Sequence, residues 1–393
     1  MDSSISVRIS SYQITRFQFA RDRVIGDSQV RFDEANIAAL ELFDEKGNCG
    51  LGFVQALSST LPARDEIVRV FEAEAWLGLK DQYPLAVAHR VNRPRGGNQR
   101  AYGLPFHEAI QVAIWDMAAK QQGLPLHQLL GSRRDKVRVY ASGLDFHLSD
   151  KDFVDLFKRA DGLGYPAFKI KVGHPDFERD LHRLDLVAKT VSPGAQFMID
   201  ANEAWGAKEA IVKLEAIRQA GYELLWVEDP ILRNDFEGLR LLRESVPWTL
   251  INSGEYLDAS GKRQLMLAGG TDILNVHGQV TDVMRIGWLA AEIGIPVTLG
   301  NTFLEVGVHM ACALPEVEWL EYSFQNFDHL VDAPMEIRDG WITAPDRPGH
   351  GLVLSQSARQ HLARPEILPR DKLGDPPSSS RAARGPRLAT SAG

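Results

Sequence analysis

The sequence predicts an α/β chain, a closed parallel barrel preceded by an α+β domain. Three observations carry that prediction. Four short apolar, β-rich runs end in polar residues: AFKIKVG, MIDANEAW, LLWVEDP and INSGE. They recur at near-equal spacing, with 31 residues from Lys169 to Asp200, 28 more to Glu228 and 27 more to Glu255. Segments of helical periodicity stand between them, which makes a βα unit of roughly 30 residues.

From Val137 onward the same rhythm places strands near 137–142, 167–172, 197–201, 224–228, 249–254, 273–277, 296–300 and 317–322. Helices are expected at 151–163, 177–190, 207–220, 235–244, 259–268, 281–293 and 304–313. Eight strands with seven intervening helices suit a closed barrel better than an open sheet. Upstream, residues 5–18 alternate as a strand, 19–33 read as a polar loop, and 35–56 read as a hairpin turning at 45–48. Helices follow at 65–78 and 106–122. The expected organisation is an α+β domain over 1–130, the barrel over 131–329, and a segment over 330–365 that packs back on the first domain. The tail over 366–393, rich in Pro, Ser and Arg, is expected to be disordered.

The chain has 393 residues, a net charge of -8 and 44% apolar residues, enough for a large core. Mild acidity without a basic stripe excludes a nucleic-acid partner. No apolar run approaches a membrane span, and the N-terminus has neither signal nor transit-peptide bias. Two distant cysteines, Cys49 and Cys312, make no disulfide framework, so a reducing compartment, the cytoplasm, is expected. No GxGxxG follows an early strand and no P-loop is present, which weakens a nucleotide reading.

Asp200, Glu228 and Glu255 would lie at the carboxyl ends of three successive strands, facing one mouth. Hard divalent cations take oxygen ligands, and three carboxylates suit Mg2+. Each carboxylate alone could equally cap the next helix. Lys169 and Lys171 are two apart and share one face of their strand, in the barrel mouth or on a wet surface. Asn202 should point to the same side as Asp200, toward substrate or a loop hydrogen bond.

Taken together, KIK at 169–171, DANEAW at 200–205, VEDP at 227–230, GE at 254–255, PGHG at 348–351 and WDMAAKQQGLPLHQLLG at 115–131 resemble the enolase superfamily. The similarity is to its mandelate racemase and muconate lactonizing branch, over residues 1 to about 360. The resemblance implies a modified TIM barrel, (β/α)7β, with an N-terminal α+β capping domain whose loops near 19–27 and 55–63 close over substrate. It implies Mg2+ on Asp200, Glu228 and Glu255, and Lys171 as the base that takes the proton alpha to a carboxylate. Lys169 then holds the carboxylate or lowers the Lys171 pKa, Glu321 contacts substrate, and the protein is a homo-oligomer.

The chain departs from that family at two strand ends. The sixth strand carries His277, and Gly300 and Asn301 stand on the seventh where a His is expected. His277 is therefore a candidate acid or carboxylate ligand, and Asn301 a candidate substrate contact. Arg21 and Arg23 on the early loop are candidates for a distal hydroxyl or carboxylate. The expected function is Mg2+-dependent dehydration of a polyhydroxy (sugar) acid to a 2-keto acid, acting on a small polar carboxylate. The alternatives are a racemase or epimerase using Lys171 and His277, and a metal-binding member without catalysis.

Overall fold

The computed structural model describes residues 5–56, 81–91, 105–362 and 371–372. The expected helix over 65–78 and residues 57–63 of the second loop lie outside them.

The N-terminal sheet is built from β1 (Ser11–Gly26), β2 (Arg31–Phe43) and β3 (Cys49–Ala56), all antiparallel. The expected turn at 45–48 forms because the Asp44 carboxylate accepts hydrogen bonds from the Lys46 and Asn48 amides. Residues 19–33 are not a loop. β1 and β2 stay paired to Gly26 and Arg31, with one irregularity between Ala20 and Ile25. The polar run Arg21–Asp22–Arg23 reads as loop, but its arginines find partners across the sheet and on the barrel. The helices α1 (Pro84–Val91) and α2 (Pro105–Gln122) complete the described cap. α2 lies directly on β3 because Gly50 and Gly52 have no side chain. A Cβ there would stand 2.0 and 2.1 Å from the carbonyl oxygens of Ala113 and Ala109.

After a short helix α3 (Leu126–Leu129), the eight expected barrel strands follow. They are β4 (Lys136–Ser142), β5 (Ala167–Lys171), β6 (Gln196–Asp200), β7 (Trp226–Glu228), β8 (Leu250–Ser253), β9 (Ile273–Val276), β10 (Val297–Leu299) and β11 (Val317–Tyr322). All neighbours are parallel, and β11 closes on β4. The outer helices are α4 (Asp150–Gly162), α5 (Phe177–Thr190), α6 (Ala207–Gln219), α7 (Phe236–Ser245), α8 (Ala259–Leu267), α9 (Val280–Ile293) and α10 (Gly307–Ala313). Ser149, Asp176, Asp235 and Asp258 cap four of them through their side chains.

Alternation along the strands sorts the barrel interior into layers. At the amino end Tyr140, Met198, Trp226 and Trp319 fill it, with the Tyr140 and Trp226 rings edge to face at 5.2 Å. Two residues further along, three of those inward positions become the carboxylates Asp200, Glu228 and Glu321, and the fourth is Ser142. Lys171 pairs in register with Asp200, and Asp200 with Glu228. The apolar floor therefore supports a polar mouth.

The 330–365 segment touches both halves. Trp341–Thr343 pairs antiparallel with the first half of β4, below the level at which β5 joins it. His350 donates from Nε2 to the Leu51 carbonyl (2.8 Å), and its amide donates to Asp116 (2.8 Å). Asp371–Lys372 pairs with Ser11 and Tyr12. At those two positions a strand replaces the expected disordered tail, because the edge of β1 offers unpaired backbone groups. Cys49 and Cys312 are free thiols. Among the described residues no helix is long and apolar enough to cross a membrane.

Candidate active site

The carboxyl ends of the barrel strands and the underside of the cap enclose a cavity of about 210 Å³. Lys169, Lys171, Asp200, Asn202, Glu228, Glu255, His277, Asn301 and Glu321 all line it. Nine of the eleven site residues expected from the sequence are thus brought together. Arg21 and Arg23 are not. Arg21 donates to the Glu34 carbonyl and lies 5.2 Å from the Phe327 ring, and Arg23 donates to the carbonyls of Ser323 and Phe324. Both stitch the hairpin to the barrel wall.

On the floor, the Lys169 ammonium lies 2.6 Å from Glu228, 3.2 Å from Glu321 and 3.6 Å from Asp200. Lys171 lies 2.5 Å from Asp200 and donates to Asn202 Oδ1 at 2.9 Å. The sequence reading let Lys169 lower the Lys171 pKa. Burial and Lys169 do push it down, but Asp200, with Glu321 and Glu228, outweighs them, and the net shift is upward. Lys171 is therefore held as ammonium while Asp200 remains its partner.

The backbone after the strands turns sharply to present these groups. Asn202, Glu203 and Asp229 have positive φ of 46°, 65° and 36°. Arg233, which sequence reasoning missed, holds those turns in place. It is buried and meets Asp229 at 2.6 Å, Glu203 at 3.0 Å and Glu255 at 3.4 Å. Asp229 also accepts from Ser253 Oγ and the Gly254 amide. Beneath Glu255, buried Lys262 donates to the carbonyls of Glu255 and Asn275. Burial lowers its pKa to about 7. Burial likewise raises that of Glu255 to about 7, against the pull of Arg233.

On the cap side, burial keeps the His277 imidazole below its ordinary pKa, opposed by Glu108 on α2. His277 Nδ1 is buried without a hydrogen-bond partner among the described residues. Glu108 accepts from Gln279 at 3.1 Å and was not singled out in the sequence, where it reads as an ordinary first-turn acid. The tip of the β1–β2 hairpin seals the mouth. The Gly26 amide donates to the Leu144 carbonyl (3.0 Å), Gln29 donates to the Asn202 carbonyl, and His147 donates to the Val30 carbonyl (2.9 Å). The Gly26 turn excludes other residues, since its φ is +153° and a Cβ would stand 2.1 Å from the Val30 oxygen. His309, by contrast, is a packing residue. It accepts from the His127 amide at 3.2 Å and donates to the His350 carbonyl at 3.1 Å.

The donor chemistry of the floor suits a hard divalent cation. Asp200, Glu228, Glu255 and Glu321 bring four carboxylates into one cavity against two ammonium groups, and every candidate ligand is oxygen. No group of three or more His, Cys, Asp or Glu among the described residues is closed around a metal position as it stands. The lysine ammoniums lie between the carboxylates instead.

The chain matches the family model described as "Enolase C-terminal domain-like" over residues 152–358. It is 33% identical over 259 residues to the L-talarate/galactarate dehydratase of Salmonella typhimurium LT2, a match spanning 64% of this chain and 63% of that protein. The crystal structure of that dehydratase with Mg and L-lyxarohydroxamate superposes with a TM-score of 0.77 at 25% identity, covering 94% and 95% of the two chains. The hydrophobic dipeptide epimerase of Enterococcus faecalis is 27% identical over 332 residues, 81% of this chain and 88% of that one. A mandelate racemase candidate from Mesorhizobium loti is 66% identical, with a TM-score of 0.85 over 95% and 99% of the chains. With the capped barrel and the strand-end carboxylates, these findings establish that the chain belongs to the mandelate racemase/muconate lactonizing branch of the enolase superfamily.

Proposed function

We propose that this protein uses Mg2+ to remove the proton alpha to a carboxylate and then expels a β-hydroxyl, turning a 2,3-dihydroxy acid of the sugar-acid type into a 2-keto acid. The observation that carries the reading is the register match of Lys171, Asp200 and Glu228 on three adjacent strands. It sets a potential base beside the carboxylates that attract a cation. Bound by Asp200, Glu228 and Glu255, Mg2+ would supply positive charge next to the substrate carboxylate, where negative charge grows as the proton leaves. Lys171 takes the C2 proton once Asp200 no longer holds its ammonium. Lys169, pinned by Glu228 and Glu321, adds a second positive charge at the floor. The C3–O bond breaks, and the leaving hydroxide is protonated to water by Lys171 returning the proton it took from C2, with the neutral His277 imidazole donating a hydrogen bond to the leaving oxygen. The resulting enol tautomerises to the keto acid. The dehydratase relative supports the elimination.

A racemase or epimerase is the second reading. It is favoured by the epimerase relative and by Nδ1 of His277, which has no hydrogen-bond partner among the described residues and could act as a second base. Incubating the protein with Mg2+ and a set of sugar acids separates the two. Formation of 2-keto acid that is lost in Lys171→Ala supports dehydration. Deuterium entering C2 of recovered substrate in D2O without keto acid supports epimerisation. Absence of both from every acid would remove the catalytic reading.

A further inference from the structure

Above the charged floor, one side of the described wall is an apolar patch, while Asp27, Tyr256, Gln279, Thr302 and Gln325 line the rest. In the patch, Phe53 and Val112 come from the cap, and Phe303, Val306 and Met310 from the segment after β10. The Phe53 and Phe303 rings lie 4.8 Å apart, and Phe303 stacks on Phe327 at 5.2 Å, so an aromatic wall bridges cap and barrel. Among the described lining residues there is no arginine, and the lysines are Lys169 and Lys171, both ion-paired at the floor. Arg21 and Arg23 do not line it: Arg21 donates to the Glu34 carbonyl and, at 3.5 Å, to Oε1 of the lining residue Gln325, and Arg23 donates to the carbonyls of Ser323 and Phe324. Glu108 adds a carboxylate to the cap side.

We infer that the substrate is a monocarboxylate whose end distal to the reacting carbons is apolar, rather than a dicarboxylate. This rests on the reaction proposed above and names the substrate class of the same site. A second carboxylate placed against Phe53, Val112 and Phe303 would lose its hydration without gaining a cation from the described residues, and Glu108 would repel it. A methyl, branched alkyl or aryl terminus instead removes apolar surface from water against those same side chains. The cavity is small, which limits that terminus to a compact group.

The test compares two 2,3-dihydroxy acids of equal chain length, one ending in a second carboxylate and one in a branched alkyl group, on the Mg2+-loaded protein. Calorimetric titration reads binding, and deuterium exchange at C2 reads chemistry. The alkyl acid should bind at least about tenfold more tightly. Phe53→Ala should weaken the alkyl acid while leaving the diacid unchanged, and Glu108→Lys should narrow the gap by improving the diacid. Equal or tighter binding of the diacid to the unaltered protein overturns the inference, even if C2 exchange proceeds. Preferential binding of the alkyl acid without exchange leaves the inference standing and removes the proposed reaction. Failure of both acids to bind removes both.

Discussion

Lys171 Nζ stands 2.5 Å from Asp200 Oδ2, and the two residues are register partners on adjacent strands. The proposed base is thus salt-bridged to a proposed metal ligand. A cation bound at Asp200 would compete with the ammonium and free Lys171 to lose its proton. Lys171→Ala should therefore abolish C2 proton exchange, by at least about 10³-fold, while keeping the Mg2+ affinity within roughly tenfold of the original. Asp200→Asn should lose both. Exchange rates in D2O and Mg2+ titration of the two variants check this pairing. Equal loss of metal in both would show that Lys171 acts through the metal site rather than on substrate.

Glu255 is pushed up to about 7 by burial, with Arg233 opposing. Below that pH the carboxyl must release its proton before it can take a cation, so Mg2+ affinity should fall by about tenfold per pH unit below 7. Above pH 7 this group no longer sets the slope. Calorimetry at pH 6 in two buffers of different ionisation enthalpy should read the released proton directly. An affinity flat from pH 6 to 8 would take Glu255 out of the ligand set.

His277 separates the two reaction readings. In dehydration with Lys171 as sole base, His277→Gln should leave C2 exchange within about tenfold of the original and slow water loss by about 10²-fold or more. In a two-base epimerase the same change should stop exchange for one configuration at C2 and spare the other. The neutral imidazole, kept so by burial against the pull of Glu108, can donate to a leaving oxygen or accept a proton. Stereospecific exchange, measured by proton resonance, is the discriminating readout.

The barrel was legible in the sequence because each of its strands is a short apolar run ending where the chemistry begins. Asp200, Glu228 and Glu255 follow directly from that spacing. The extended hairpin was not legible, because Arg21 and Arg23 look like solvent-exposed loop residues until Glu34, Ser323 and Phe324 supply their acceptors. Lys262 was hidden for a related reason. On an amphipathic helix it reads as a surface lysine, yet it is buried under three strand-end carbonyls. The apolar wall escaped because Phe53, Val112 and Phe303 come from three distant segments, and each alone reads as core. Only the approach of the cap to the barrel places them around one cavity.

Two histidines at the join of cap and barrel predict acid sensitivity. His309 Nδ1 accepts the His127 amide while Nε2 donates to the His350 carbonyl, which fixes one neutral tautomer. Burial, with His350 next, lowers its pKa to about 3 from 6.5. Between those values the unfolded chain binds a proton that the folded chain refuses, so stability falls as pH drops from 6.5 toward 3. This one group contributes a slope of up to about 1.4 kcal/mol per pH unit. His350 is shifted the same way, burial being the largest cause. Urea unfolding between pH 7 and 4 should show the slope, and His309→Gln should reduce it by one proton. An unchanged slope in that variant would place the titration elsewhere.

The approach of cap helix to cap sheet predicts the cost of a single methyl group. At Gly52 a Cβ would meet the Ala109 carbonyl oxygen at 2.1 Å, and backbone cannot swing aside as a flexible side chain can. Gly52→Ala must push α2 away from β3, with an expected loss of about 1–3 kcal/mol. Gly162, at the last turn of α4, offers the matched control, since a Cβ there meets nothing within 4 Å and its φ is not positive. Gly162→Ala should be neutral or stabilising by up to about 1 kcal/mol. The displacement of α2 has a functional consequence as well, because Glu108 and Val112 ride on that helix and line the cavity. Gly52→Ala should therefore weaken substrate binding at saturating Mg2+ even at temperatures where the protein stays folded, while Gly162→Ala leaves it unchanged. A Gly52→Ala protein with lowered Tm and unaltered substrate affinity would mean that the helix repacks without moving the cavity wall.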